Sequence, residues 1–436
     1  MPVLLSTSDA EFEPDFHAFQ NRKRSAAARV REDVDEIIDR VRNGGDKALS
    51  ELTRRLDGFQ LGACALPWPE ERIELEIGKV SRTEREALES AASRILDYHR
   101  RQIPSDECWT DASGARLGWR WTPADAVGLY VPGGIAAYPS SVLMSAIPAK
   151  VAGVRKLLVA SPAPGGKANP LVFLAARLAG VDSIFPVGGA QAIAAFACGT
   201  ETVPQVDMIA GPGNAYVAEA KRLLFGQVGI DMLAGPSEIL VIADKDNDPE
   251  WVALDLLSQA EHDRAAQAIL ISTDREFAEC VERAVARRLE TLPRRKIARR
   301  SWEEFGAVIL VRNLGEAADL CNRLAPEHVQ LCVAEPEELS ADIRHAGAIF
   351  LGRWTPEAIG DYVAGPSHVL PTSGSARFSS GLSVADFMKR TSITGFSANS
   401  LAETGESAET LARAEGLEAH ALSIRARLDA IGDGRA

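Results

Sequence analysis

The chain has 436 residues, 46% hydrophobic and 25% charged, the make-up of a globular protein with length for roughly three domain-sized units. With 48 Lys and Arg against 61 Asp and Glu, its net charge is −13 and no basic cluster stands out, which argues against nucleic acid or an anionic membrane as partner. No apolar run approaches the length of about 20 residues that spans a bilayer, and the first ten residues lack a signal-peptide pattern, so a cytoplasmic protein is expected. The six cysteines are scattered without a CxxC and read as reduced, mostly buried thiols.

Residues 1–25 mix charges with Phe12, Phe16 and Phe19 and are expected to form a small helical arm. Val30, Val34, Ile37, Ile38 and Val41 recur at helical spacing until Gly44-Gly45, and a second helix is expected over 47–56. Residues 70–102 read as one or two helices with solvated charged faces. From Ala126 to Leu224 short apolar runs alternate with helical patterns, which means a parallel sheet covered on both faces. A second such alternation runs from Glu238 to Leu351, so two α/β layers lie in tandem with a boundary near Gly235-Pro236. Residues 352–380 are irregular, and the tail over 383–434 is expected to be helical.

Two Gly-rich turns, at Pro132-Gly-Gly134 and Gly211-Pro-Gly-Asn214, each follow a predicted strand and open a predicted helix. Backbone N–H groups in such turns can hold a phosphate. Neither is a full G-x-G-x-x-G, so a plain tight turn is an equal reading. The segment Asp255-Leu-Leu-Ser-Gln-Ala-Glu-His-Asp263 carries Gln259 and His262 three residues apart. On a helix, capped by Asp248 with Pro249 first, both would project from one face and could grip one cation. Later stretches could complete such a site: Pro326-Glu-His328, Gly360-Asp361, His368 and Glu415-Gly-Leu-Glu-Ala-His420. Imidazole and carboxylate suit a borderline divalent cation, and a Glu-His pair suits acid/base work. A cysteine nucleophile is the rival chemistry; none sits beside a His or at a helix start in a Gly-rich turn.

The ordered motifs identify a resemblance. Gly128-Leu-Tyr-Val-Pro-Gly-Gly134, Ala137-Tyr-Pro-Ser-Ser-Val-Leu-Met144, Val187-Gly-Gly-Ala-Gln-Ala-Ile193, Gly229-Ile-Asp-Met-Leu-Ala-Gly-Pro-Ser-Glu238, Gln259-Ala-Glu-His-Asp263, Ala325-Pro-Glu-His328, Gly360-Asp-Tyr362, His368-Val-Leu-Pro-Thr372 and Glu415-Gly-Leu-Glu-Ala-His420 resemble the histidinol dehydrogenases from about residue 26 to 426. The resemblance implies two incomplete Rossmann-like parallel-sheet domains with small helical N- and C-terminal extensions in a domain-swapped homodimer. On that pattern 1–25 is an arm, 26–129 with 237–381 a discontinuous domain carrying metal and catalytic residues, 130–236 the NAD-binding domain and 382–436 the swapped domain.

It also implies roles. Zinc ligands fall on Gln259, His262, Asp361 and His420, the last from the partner subunit. Glu327 and His328 match the catalytic pair. Ser237, Gln259, His262, His328, Asp361, Glu415 and His420 match contacts to L-histidinol, with His368 in the same pocket. Tyr130, Gln191 and Asn214 match NAD contacts. The implied reaction is alcohol to aldehyde to acid, with two hydrides passed to two NAD. The sequence departs from the family's pattern at Ile135, Ser145, Val363 and Pro366-Ser367, none of them an implied ligand or catalytic residue. A paralogue acting on another small alcohol, such as a sulfonated diol, is the alternative that the same scaffold allows.

Overall fold

The structure is a computed structural model that describes residues 1–22, 30–61, 66–133, 138–167, 169–233 and 235–434. Gly134, Ile135, Ala137, Cys64 and the start of the helix expected from residue 26 lie outside the described residues. The chain divides into two compact units, one of 1–102 with 124–387 and one of 103–123 with 388–436.

The strands, in chain order, are β1 (Val3–Ser6), β2 (Glu107–Thr110), β3 (Arg116–Pro123), β4 (Ala126–Tyr130), β5 (Lys156–Ala160), β6 (Ser183–Phe185), β7 (Met208–Ala210) and β8 (Gly229–Ile230), followed by β9 (Glu238–Ala243), β10 (Gln267–Ser272), β11 (Ala307–Leu310), β12 (His328–Cys332), β13 (Ala348–Leu351) and β14 (Met388–Gly395). The first unit holds two wholly parallel sheets, ordered β6-β5-β4-β7-β8 and β1-β11-β10-β9-β12-β13. Their central strands are continuous apolar runs such as Ile239–Ala243, buried on both faces as the helical crossovers require.

The N-terminal residues begin as a strand rather than only a helical arm. Val3–Ser6 extends the second sheet at its edge, and Phe12, Phe16 and Phe19 of the helix Phe12–Asn21 join that sheet's core. The helix Arg31–Asp57 is kinked at Gly45, where φ is 51°. Its buried stripe Val34, Ile37, Ile38, Val41, Leu49 and Leu52 shares a core with Phe185, Ile193 and Phe196 of the first sheet's layer. The domain division implied by the resemblance sets this region with the second sheet; its buried stripe packs on the first.

In the second unit, β14, β3 and β2 form an antiparallel sheet beside the helices Ala398–Ala414 and Glu418–Gly432. The expected wholly helical tail therefore begins with an eight-residue strand. Its exposed sequence Lys389-Arg-Thr-Ser392 carries no apolar alternation that would announce a half-buried strand.

Candidate active site

Glu238, the first residue of β9, organises the amino edge of the six-stranded sheet. Its backbone N–H donates to Glu327 Oε2 at 2.8 Å, and its backbone carbonyl accepts from His328 Nδ1 at 2.8 Å. Parallel pairing of β9 with β12 sets His328 beside Ile239 and so brings both contacts into register. Because Nδ1 donates, the neutral His328 ring presents an unprotonated Nε2. Burial presses its pKa down to about 4, which keeps it neutral at physiological pH. Burial also raises the Glu327 carboxyl well above the usual carboxylate range.

The helix Pro249–Ala260 is capped by Asp248, whose side chain accepts from Glu250 N, and starts on Pro249. It ends at Ala260, so His262 stands in the following turn rather than on the helix face with Gln259; the His262 N–H still bonds the Gln259 carbonyl at 3.2 Å. His262 Nε2 lies 3.7 Å from Asp361 Oδ2, and His368 Nδ1 lies 3.4 Å from Asp361 Oδ1. Burial opposes the charge on Asp361, but the His368 contact and the nearby histidines outweigh it and hold the carboxyl below its ordinary value. The Gln259 side chain is fully buried, and among the described residues neither its amide oxygen nor its nitrogen has a hydrogen-bond partner. An orphaned amide behind a half-exposed imidazole fits a site that takes a cation. Ser141 Oγ, in the helix Pro139–Ala152 that follows β4, lies 3.0 Å from His368 Nε2 and ties this pocket to the first sheet's layer.

Glu357 joins the site and was not singled out from the sequence. It is 1% exposed, and its Oε1 lies 3.5 Å from His328 Nε2 without a hydrogen-bond partner. Ser258 Oγ is 3.4 Å from Oε2, and Gln330, which donates to Asp255 at 2.7 Å, accepts from the Glu357 N–H at 3.3 Å. Burial raises the Glu357 carboxyl to about 8, so it keeps its proton at neutral pH. Ligand atoms of His328, Glu357 and Asp361 all lie within 4.8 Å of one another, a second grouping that could hold a cation and that shares only Asp361 with the implied zinc set. We favour the set containing Gln259 and His262. His328 Nδ1 and Glu357 Oε2 already have partners in Glu238 and Ser258, whereas the buried Gln259 amide has none among the described residues and a cation would satisfy it.

The Gly211–Asn214 turn, which follows β7, stands at the carboxyl edge of the five-stranded sheet, the edge at which open α/β sheets take ligands. Tyr130 ends β4; its hydroxyl accepts from Gly189 N at 3.1 Å, and burial pushes its pKa up to about 12. Gln191, in the first turn of the helix Gly189–Cys198, is 1% exposed, and neither amide atom has a hydrogen-bond partner among the described residues. Asn214 Oδ1 caps the helix Ala215–Leu224 by accepting from Tyr216 N and Val217 N, while its side chain stays exposed.

Ser237 lies just before Glu238, half-buried. Glu415 and His420 belong to the second unit, where both are exposed; they stand on either side of the Gly416 turn between two helices, not on one helix as expected. The described cysteines are free, yet only Cys321 and Cys332 are buried, and burial lifts their thiols to about 12 and about 11, far from nucleophilic. His99, buried with Nδ1 donating to the Ile95 carbonyl, is a core histidine.

The family model described as histidinol dehydrogenase matches residues 20–428. The chain is 60% identical over 434 residues to the histidinol dehydrogenase of Cereibacter sphaeroides, covering 100% of both chains, and 59% identical to that of Ruegeria pomeroyi, covering 98% and 99%. A crystal structure of histidinol dehydrogenase from Elizabethkingia anophelis is similar at a TM-score of 0.93 and 34% identity, covering 99% of each chain.

Proposed function

This chain belongs to the histidinol dehydrogenase family, and from that premise we propose that it converts L-histidinol to L-histidine by two successive NAD-linked oxidations at a zinc site shared between two subunits. The observation that supports this most is the convergence of His328, Glu327, His262, Asp361 and His368, from four separate stretches of chain, on one buried polar pocket.

Zn2+ held by Gln259, His262, Asp361 and His420 of the partner subunit would supply a fixed anchor for the nitrogen donors of the substrate. NAD bound beside Tyr130, Gln191 and Asn214 would supply the acceptor for each hydride. Ser237, His368 and the metal ligands, with Glu415 of the partner subunit's swapped domain, would hold the substrate with its carbinol carbon toward the nicotinamide. His328 takes the hydroxyl proton through Nε2 as the C–H bond of the carbinol gives up its hydride. Burial leaves that nitrogen unprotonated, and the Glu238 carbonyl fixes the ring. Glu327, in the ionised form that the Glu238 N–H favours, is the stronger base for its raised pKa; it removes a proton from the water that adds to the aldehyde, and the hydrate loses the second hydride. Retention of the aldehyde in the pocket protects it from loss between the steps.

A sulfonated-diol specificity is not favoured, since the full motif set is accompanied by 60% identity to a histidinol dehydrogenase. Turnover of L-histidinol with NAD, lost on chelation and regained with Zn2+, tests the proposal; metal-independent turnover, or activity confined to another alcohol, contradicts it.

A further inference from the structure

Lys221 and Asp231 form an ion pair that no step above uses, with side chains only 3% and 1% exposed. Burying two charges is costly, and apolar residues of similar volume often serve stability as well, so the pair calls for a specific role. Its other bonds point to one. Asp231 Oδ2 accepts from the Gly211 N–H at 2.8 Å, and Lys221 Nζ donates to the Gly211 carbonyl at 3.1 Å. Both polar backbone groups of one glycine are thus held by the two halves of one ion pair.

The fold brings these residues together. Gly211 follows β7 and Asp231 follows β8, and β7 pairs with β8 in parallel, so both emerge at the same sheet edge. The Asp231 N–H also bonds the Ile209 carbonyl of β7 at 3.2 Å. Lys221 reaches back from the last turn of the helix that Asn214 caps. Gly211 has φ of 109°, open to glycine, and a Cβ there would collide with the Tyr130 carbonyl oxygen. The turn is therefore pressed against the end of β4 and clamped from its other side by the ion pair.

We propose that Lys221 and Asp231 are positioning residues for nucleotide binding, holding the Gly211–Asn214 turn at a fixed height and angle beside Tyr130. The inference rests on the reading of that turn as part of the NAD site. Charge suits the task because one carboxylate and one ammonium satisfy an N–H and a C=O together, with stronger bonds than neutral groups make. Held this way, Asn214 spends its side-chain oxygen on capping and leaves its amide N–H2 for a ligand.

The test replaces the pair as a whole, K221M/D231L, which avoids a lone buried charge, and uses D231E as the milder variant that keeps both charges and an acceptor for Gly211 but shifts its position. N214A serves as the reference for the nucleotide reading. In zinc-loaded enzyme with L-histidinol, we expect KM for NAD to rise at least tenfold in K221M/D231L and less in D231E. KM for L-histidinol and kcat at saturating NAD should stay within about twofold, a split that general loosening of the fold would not give. If the double variant does not fold, D231E and K221R carry the same comparison. An unchanged KM for NAD in a folded variant, with N214A raising it, overturns the positioning role and leaves the nucleotide reading standing. An unchanged KM in N214A as well overturns both.

Discussion

Glu357 Oε1 lies 3.5 Å from His328 Nε2, with no other partner, in a pocket from which both side chains are almost wholly shielded from water. Burial raises the carboxyl to about 8 and lowers the imidazole to about 4, so at this contact the proton belongs on Glu357 and His328 Nε2 stays bare. Glu357→Gln keeps the shape and removes that proton. It is expected to lower kcat by on the order of 10- to 100-fold without loss of zinc. Metal analysis alongside the assay separates the readings: a variant that no longer retains zinc would assign Glu357 to the metal.

Glu327→Gln bears on the second oxidation. A carboxyl whose Oε2 accepts from Glu238 N keeps its place as an amide oxygen, but the base is gone. Oxidation of the aldehyde supplied as substrate should slow on the order of 100-fold or more, and the alcohol step much less. Equal slowing of both steps in pre-steady-state traces counts against separate roles for Glu327 and His328.

The proposed metal site, with one ligand from the partner subunit, predicts complementation. Inactive His420→Ala and inactive His262→Ala proteins, mixed and allowed to exchange subunits, form hybrids in which one of two sites has every ligand. Random pairing restores about a quarter of wild-type activity in a twofold-symmetric dimer. Hybrids that form, as judged by mass, and stay dead contradict a site composed from two subunits.

Asp255 carries a stability prediction with a defined sign. Burial raises its carboxyl to about 6, while Gln330 donates to it at 2.7 Å. A raised acid favours the folded state most when protonated, so this contribution is full below about pH 4 and lost as pH climbs through 6. Asp255→Asn keeps an acceptor for Gln330 and never ionises. It should stabilise the protein at pH 8 by about 2–3 kcal/mol, with the gain gone at pH 4. Denaturant unfolding at the two pH values measures it, and equal stability at pH 8 sinks the assignment.

Much of the first unit is legible because parallel strands are continuous apolar runs and their helices carry caps, as at Asp248, Asn214 and Asp274. Gln259, His262, Glu327, His328, Asp361 and His368 stand out through polar neighbours at short spacing. Glu357 does not: a lone Glu in an irregular stretch acquires meaning only when folding buries it against His328. Its one local signal is a place four residues before Asp361. The three-residue spacing of Gln259 and His262 suggests one helix face, but the apolar periodicity of Val252, Leu256 and Ala260 stops at Ala260, and so does the helix. In the antiparallel sheet β2 and β14 are largely exposed and give little signal, whereas β3 alternates Leu117, Trp119 and Trp121 and finds its second partner, β14, far away in the chain. Lys221 and Asp231 gave no signal, since their pairing depends on β7 and β8 lying side by side.

The most direct test counts cofactor. With zinc-loaded protein, excess NAD and a limiting known amount of L-histidinol, the reaction run to completion should yield two NADH per substrate and L-histidine as product. One NADH with aldehyde released, or none at all, contradicts a single pocket that carries out both oxidations.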